Sequence, residues 1–226
     1  MCDMKKKIDF LTRLMKNNRK EWFDEHKSEF LEIQNEFKEF TKKLIIGIST
    51  FDDSVAGLDV PQCTYRIYRD IRFSSNKLPY KTHLGAYVCP GGKCSGRAGY
   101  YFHIEPAESE YLDGSLLAIG IYNPTPAVTK SIREEILVNG DEFDAAVKEA
   151  KNFFFPEDQF LRRVPNGFPK DYKYADYLRL KTFTMMLRLD DNILYSDRLF
   201  DFVMENFKSA HHYNSLLNRA FDIAED

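Results

Sequence analysis

The stretch Thr64-Tyr-Arg-Ile-Tyr-Arg-Asp-Ile-Arg-Phe73 packs three arginines, two tyrosines and one aspartate into ten residues. Guanidinium groups bind phosphate and carboxylate through paired donors, so this is anion-recognition chemistry. Read as a strand, its side chains alternate between two faces. Arg66, Tyr68, Asp70 and Arg72 then form a polar face, and Tyr65, Ile67, Arg69, Ile71 and Phe73 a mostly apolar one. Arg69 on that apolar side calls for a carboxylate partner. The following stretch, Ser74-Ser-Asn-Lys-Leu-Pro-Tyr-Lys-Thr-His83, adds Lys77 and Lys81 around Pro79. If that turn folds back, Arg66, Arg72, Lys77 and Lys81 converge on one anion-holding pocket. His83 and His103 fall near register on two neighbouring predicted strands and supply acid/base candidates. The expected site therefore has His83 and His103 as proton carriers. Arg66, Tyr68, Arg72, Lys77, Lys81 and Tyr100 are its ligand contacts.

Metal chemistry is not expected. The two histidines lack a clear third ligand. Of Cys2, Cys63, Cys89 and Cys94, only the last two are close, as C-P-G-G-K-C, whereas a zinc ribbon needs two tight pairs. The thiols read as reduced. The loop Pro90-Gly-Gly-Lys-Cys-Ser-Gly-Arg-Ala-Gly99 has backbone amides and two cations suited to an anion. It is not a P-loop, because Tyr87 stands where the motif needs a glycine. No dinucleotide fingerprint, nucleophile elbow, H-E-x-x-H or RNP pattern occurs. No cofactor is implied, and the sequence leaves open whether the protein is an enzyme.

The elements that must hold these residues are legible from periodicity. Lys5–Lys16 reads as a short helix. A second helix of about 30 residues follows, capped by Asn18 with Glu21 three residues on, and carrying Trp22, Phe30, Ile33, Phe37 and Phe40 on one apolar stripe. Strands are predicted over Thr64–Phe73, Thr82–Cys89, Gly99–Glu105, Ser115–Tyr122 and Arg179–Leu189. Thr125-Pro126 opens a helix to Val138, and others follow over Asp141–Asn152, Tyr172–Leu178, Asp197–Lys208 and His212–Ala224. This is an α+β fold: about five mainly antiparallel strands packed on several helices, in a single domain over residues 1–226.

The 226 residues are 43% hydrophobic and 30% charged, a globular composition that excludes disorder. Net charge is −3, which excludes a globally basic nucleic-acid binder. The charge is segregated, however. Between Pro61 and His103 seven basic residues face one acid, giving +6, and the remainder of the chain carries −9. No apolar run is long enough for a membrane span, and Met1-Cys-Asp-Met-Lys-Lys-Lys has no signal h-region, so a cytoplasmic location is expected.

Several segments occur in an order that carries a family likeness: N17-N-R-K-E-W-F23, Y65-R-I-Y-R-D-I-R-F-S74, K77-L-P-Y-K-T-H83, G99-Y-Y-F-H103 and L180-K-T-F183. From about Phe10 to about Leu217 the chain resembles a widespread bacterial and fungal family of conserved hypothetical proteins, a domain of unknown function. The motif R-D-x-R-F-S-x-x-K-x-P-Y-K-x-H is its most specific part. The resemblance implies a single-domain cytoplasmic protein of about this length and no activity. The family loop usually lacks the cysteines found here at 89 and 94.

Three functions compete. The first is binding, with or without turnover, of a small phosphate- or carboxylate-bearing molecule in a basic groove on the sheet. The second is a structural or interaction protein whose basic sheet pairs with its own acidic helices or a partner. The third is a nucleic-acid binder, allowed by eight aromatics between Tyr65 and Phe102 but opposed by the −9 remainder. Oligomeric state leaves no sequence signal.

Overall fold

A computed structural model describes residues 3–109 and 111–225. Asp3 accepts a hydrogen bond from Lys6 N and starts α1, Met4–Lys16. The stripe of residues 22–48 forms two helices rather than one: α2, Lys20–Glu25, and α3, Lys27–Ser49. The break falls at His26, whose ring stacks on Trp22 at 4.0 Å and whose Nδ1 bonds the Trp22 carbonyl at 2.8 Å. Asn18 does not cap α2, either. Its amide pairs with the backbone of Tyr80 in both directions, tying the chain start to the lead-in of the sheet. Phe30, Ile33, Phe37 and Phe40 are buried as the spacing requires, while Trp22 is only half-buried. Lys7 is fully buried on α1 and reaches Glu36 on α3 at 2.5 Å and the Asp3 carbonyl at 3.0 Å.

Four strands, not five, make the sheet: β1, Leu84–Val88; β2, Gly99–Ile104; β3, Leu116–Ile121; β4, Phe183–Arg188. They run β1-β2-β3-β4, every neighbour antiparallel. The missing strand is Thr64–Phe73, which makes only two isolated bridges, Thr64 to Ala86 and Tyr68 to Tyr80. Its alternation is real, but a strand also needs a continuous partner edge. β1 is five residues long, and beyond it the segment turns on itself through Arg69 N to Pro79 O and Lys81 N to Ile67 O. Asp70 also accepts from both the backbone and guanidinium of Arg72, a local bond that competes with a ladder. The two-face pattern consequently fails there: Ile67 is buried, but Phe73 is 96% exposed.

Helices α4, Val60–Cys63, α5, Pro126–Val138, α6, Gly140–Glu149, α7, Ala175–Leu178, and α8, Asp191–Leu194, fill the connections. Thr125 caps α5 by accepting from Val128 N, with Pro126 at the first position as expected. Two closing helices follow, α9, Leu199–Ser209, and α10, His211–Glu225. Among the described residues no helix is long and apolar enough to cross a membrane.

One face of the sheet carries Val88, Tyr100, Phe102, Ile104 and Ile119 and meets these helices. Phe102 packs on Phe37 and Phe40 of α3, and Tyr100 on Phe207 of α9. On α10, Asn214 accepts from Gly120 N and donates to Gly99 O, locking the helix across β2 and β3. Gly120 must be glycine: its φ is +97° and a Cβ there would lie 1.9 Å from the Phe183 carbonyl oxygen. The opposite face of the sheet is left to the loops, and that is where the chemistry gathers.

Candidate functional site

Strand register sets the floor of this face. Tyr87, Tyr101, Ala118 and Met186 lie opposite one another across the four strands, and Gly85, His103, Leu116 and Arg188 form the next row. Gly85 has no side chain because the Tyr101 phenol lies across it; a Cβ would come within 2.5 Å of the Tyr101 oxygen. Tyr87 donates its hydroxyl to the carbonyls of Arg97 and Gly120. The walls come from loops: Tyr65, Lys81 and His83 before β1, Lys93 and Arg97 between β1 and β2, and Tyr111, Leu112 and Tyr122 on either side of β3. Together they enclose a cavity of about 360 Å³, within the range of small-molecule sites.

The cavity is aromatic and cationic. Among the described residues no carboxylate lines it. Lys81 and Lys93 both sit over the Tyr65 ring, with Nζ 5.3 and 5.9 Å from its centre. Burial lowers the pKa of Lys81, and the neighbouring charges of Arg66 and Arg69 lower it further. Arg97 is engaged by Asp222 and by the Phe221 ring at 4.7 Å, so its charge is partly answered.

Beside the cations lies a buried titratable cluster. His83 stacks on Tyr111 at 4.3 Å, and its ring is 5.0 Å from that of His103. Register explains this proximity. Gly85 pairs with His103, so His83 is its diagonal neighbour on the same face. Burial pushes the His83 pKa down to about 3, helped by His103, Lys81 and Arg69 and opposed by Glu105. His103 is fully buried. Its Nδ1 is 2.8 Å from Tyr101 Oη, and its Nε2 is 3.3 Å from Glu105 Oε2 but outside hydrogen-bond geometry. Glu105 Oε1 accepts from Leu112 N and Gly114 N, both at 2.9 Å, and Oε2 accepts from Ser109 Oγ at 2.8 Å. Burial raises the pKa of Glu105, but His103, the Gly114 amide and the Ser109 hydroxyl together hold it below the usual carboxylate value. Burial pushes Tyr65 up to about 12 and Tyr101 higher still, so both phenols are neutral near pH 7.

The sequence-predicted site residues are thus distributed as follows. Lys81, His83 and His103 come together. Arg66 stands close enough to perturb Lys81 but is exposed and does not line the cavity. Arg72 is exposed and paired with Asp70, and Lys77 is exposed with its amine on the Ile71 carbonyl. Tyr68 is exposed, with its ring near Phe23 and Tyr80. Tyr100 points to the helix-covered face, where its hydroxyl donates to Asp52 at 2.9 Å and meets His211 Nδ1 at 3.1 Å. The four cations 66, 72, 77 and 81 do not converge in one cavity, because Thr64–Phe73, which bears Arg66 and Arg72, is not a strand of the sheet and Lys77 is held on the Ile71 carbonyl. Arg69 has no ion pair among the described residues; its guanidinium lies 3.5 Å from Ser74 Oγ.

Sequence reasoning missed Tyr87, Tyr101, Tyr111, Tyr122, Glu105, Thr184 and Met186. One signal was present: in Tyr100-Tyr-Phe-His-Ile-Glu105 the polar residues alternate with apolar ones, placing Tyr101 with His103 and Glu105 rather than Tyr100. In the glycine loop the amides of Gly92, Lys93, Ser95 and Arg97 already have acceptors within the protein. The Cys89 thiol, buried against the Gly92 carbonyl, is pushed up to about 12. Cys63, Cys89 and Cys94 are unbridged, and among the described residues no cluster of three His, Cys, Asp or Glu groups could hold a metal ion.

The family described as Conserved hypothetical protein (DUF2461) matches residues 6–215. Neither a curated protein nor a solved structure matches the chain.

Proposed function

The chain belongs to the conserved hypothetical family DUF2461, whose name carries no activity, and from its own geometry we propose that the cavity on the open sheet face binds a small anionic molecule. The ligand is a phosphate or carboxylate joined to a flat apolar body. Lys81 carries the reading. It is a half-buried ammonium crowded by Arg66 and Arg69, facing a cavity in which no described carboxylate answers its charge. Like charges held together call for a counter-charge, and a bound anion supplies one. Tyr65, Tyr87, Tyr101, Tyr111 and Tyr122 supply ring faces for a flat body, and Leu116, Ala118 and Met186 its apolar floor.

Thermal shift with inorganic phosphate, benzoate, phenyl phosphate, dicarboxylates and mononucleotides tests this. A ligand at 100 times its Kd adds about 2.7 kcal/mol, or roughly 5–10 °C in Tm for a chain of this size. The expected result is stabilisation by a flat anion, lost in Lys81→Met. Failure of every anion in the panel, or an unchanged response in Lys81→Met, refutes the reading.

An interaction role has its own observation. The loop holding Arg66, Arg72 and Lys77 also exposes Tyr68 and Phe73, an aromatic and basic surface outside the cavity. The internal-pairing version of that role has less support. Of the seven cations between Pro61 and His103, ion pairs to described carboxylates form only at Arg72 and Arg97.

A further inference from the structure

We propose that the cavity is catalytic, with Tyr101 Oη as a nucleophile that takes an acyl or phosphoryl group from an anionic ester, His103 accepting the phenolic proton. This rests on the reading of the cavity as a ligand site and adds chemistry to it.

Three observations on β2 and its following loop carry the proposal. Tyr101 and His103 alternate on β2 and Glu105 follows directly after it; Tyr101 lines the cavity, and His103 and Glu105 are buried behind it. Contacts run in sequence from Tyr101 Oη to His103 Nδ1 at 2.8 Å, and from His103 Nε2 to Glu105 Oε2 at 3.3 Å. Glu105 is in turn held by two backbone amides and a serine hydroxyl, which fix its position and favour its charge. That is a nucleophile, a base and an orienting carboxylate.

The carboxylate decides the tautomer. Glu105 stands 3.3 Å from Nε2, outside hydrogen-bond geometry, and its negative charge there favours the imidazole proton on Nε2 over Nδ1. Nδ1 is then a bare acceptor, and the Tyr101 hydroxyl donates to it. Burial opposes a free phenolate, so the oxygen attacks only as its proton leaves. In the step, a bond forms from Oη to the electrophilic carbon or phosphorus, and the bond from that centre to the leaving oxygen breaks. The leaving oxygen keeps the electron pair. The phenolic proton passes to His103 Nδ1, and Glu105 compensates the imidazolium. Lys81 and Lys93 supply positive charge to the anion. The polar groups packed around His103 are Tyr101, Glu105, His83 and Tyr111. His103 is the base in contact with the reacting oxygen, and Glu105 is a positioning residue that acts through His103.

A neutral electrophile, phenylmethanesulfonyl fluoride, separates this from anion binding. Oη bonds to sulfur, the S–F bond breaks, fluoride leaves with the electron pair, and the proton goes to His103. Intact mass and peptide mapping on the full chain should show one adduct, on Tyr101. Its rate should exceed that of the far more exposed Tyr122 at least tenfold. His103→Gln should lower the Tyr101 rate at least tenfold and abolish its fall in acid. No adduct at Tyr101, equal labelling of Tyr122 or Tyr111, or an unchanged rate in His103→Gln overturns the proposal. Should His103→Gln not fold, 15N-histidine NMR of the native chain and of Tyr101→Phe decides. A histidine protonated at Nε2, whose Nδ1 resonance moves when the hydroxyl is removed, is expected. Protonation at Nδ1 overturns it. Labelling of Tyr101 in the native chain reads the nucleophile, and the thermal shift with flat anions reads the ligand site, so the two readings fail separately.

Discussion

Acidification offers a direct check on the buried imidazole pair, because the fold holds His83 neutral. Its pKa falls from 6.5 to about 3 through burial, with His103, Lys81 and Arg69 adding to the effect. For such a base the unfolded chain takes a proton below pH 6.5 while the folded chain does not. The stabilisation is therefore complete above pH 6.5 and is lost as pH falls toward the folded value. Each pH unit across that window is worth about 1.36 kcal/mol. Between pH 8 and pH 5 the loss amounts to about 2 kcal/mol at most, since the ring keeps some contact with water. Ending at pH 5 stays above the carboxylate titrations, so Glu105 and Glu36 add little. With a urea slope of about 2 kcal/mol per molar, the unfolding midpoint should drop by about 1 M. The control is His83→Gln, which keeps a polar side chain of similar size but cannot take the proton. The variant starts from lower stability, yet its midpoint should fall by much less over the same pH interval. The histidines that do not touch His83 are common to both chains and cancel in the comparison, and His103, 5.0 Å away, is the one neighbour whose response is read together with it. Equal losses in the two proteins, within about 0.5 kcal/mol, would refute the claim that His83 is held uncharged.

Two further outcomes follow from packing. Phe37 is 3% exposed and packs on Phe102, so Phe37→Ala should cost about 3–5 kcal/mol in urea unfolding; an unchanged midpoint would mean that α3 does not pack on the sheet as described. Gly120→Ala combines a φ of +97° with a Cβ 1.9 Å from the Phe183 carbonyl oxygen. It should lose more than the roughly 1–3 kcal/mol of ordinary overpacking, and a native-like Tm would count against the close approach of β3 and β4.

Local rules carried much of the architecture. The 3.6-residue stripe at Phe30, Ile33, Phe37 and Phe40 could bury only one side of a helix, and Thr125-Pro126 could only begin one, so both are legible from residues a few positions apart. The same holds for β1 and β2, whose short glycine-rich connection is local, and for β3, whose short apolar run stands out in the sequence. The His83–His103 pair was legible too, because a short antiparallel connection leaves few registers. What local rules could not supply was the identity of each neighbour. Thr64–Phe73 alternates as well as any strand, but a ladder needs a facing edge, and five-residue β1 provides only one bridge to Thr64. Alternation in β2 separates Tyr100 from Tyr101, yet it does not say which side the helices cover. Phe37, Phe40 and Phe207 decide that by packing on Phe102 and Tyr100. The cavity walls are more distant still. Tyr65, Tyr111, Tyr122, Thr184 and Met186 meet only because four antiparallel strands bring chain segments far apart in sequence within one side-chain length. The +6 segment announced positive charge from its composition alone. Which of those cations faces a cavity and which meets a carboxylate or a carbonyl depended on where the backbone turned: Lys81 was carried inward, while Arg72 found Asp70 and Lys77 the Ile71 carbonyl.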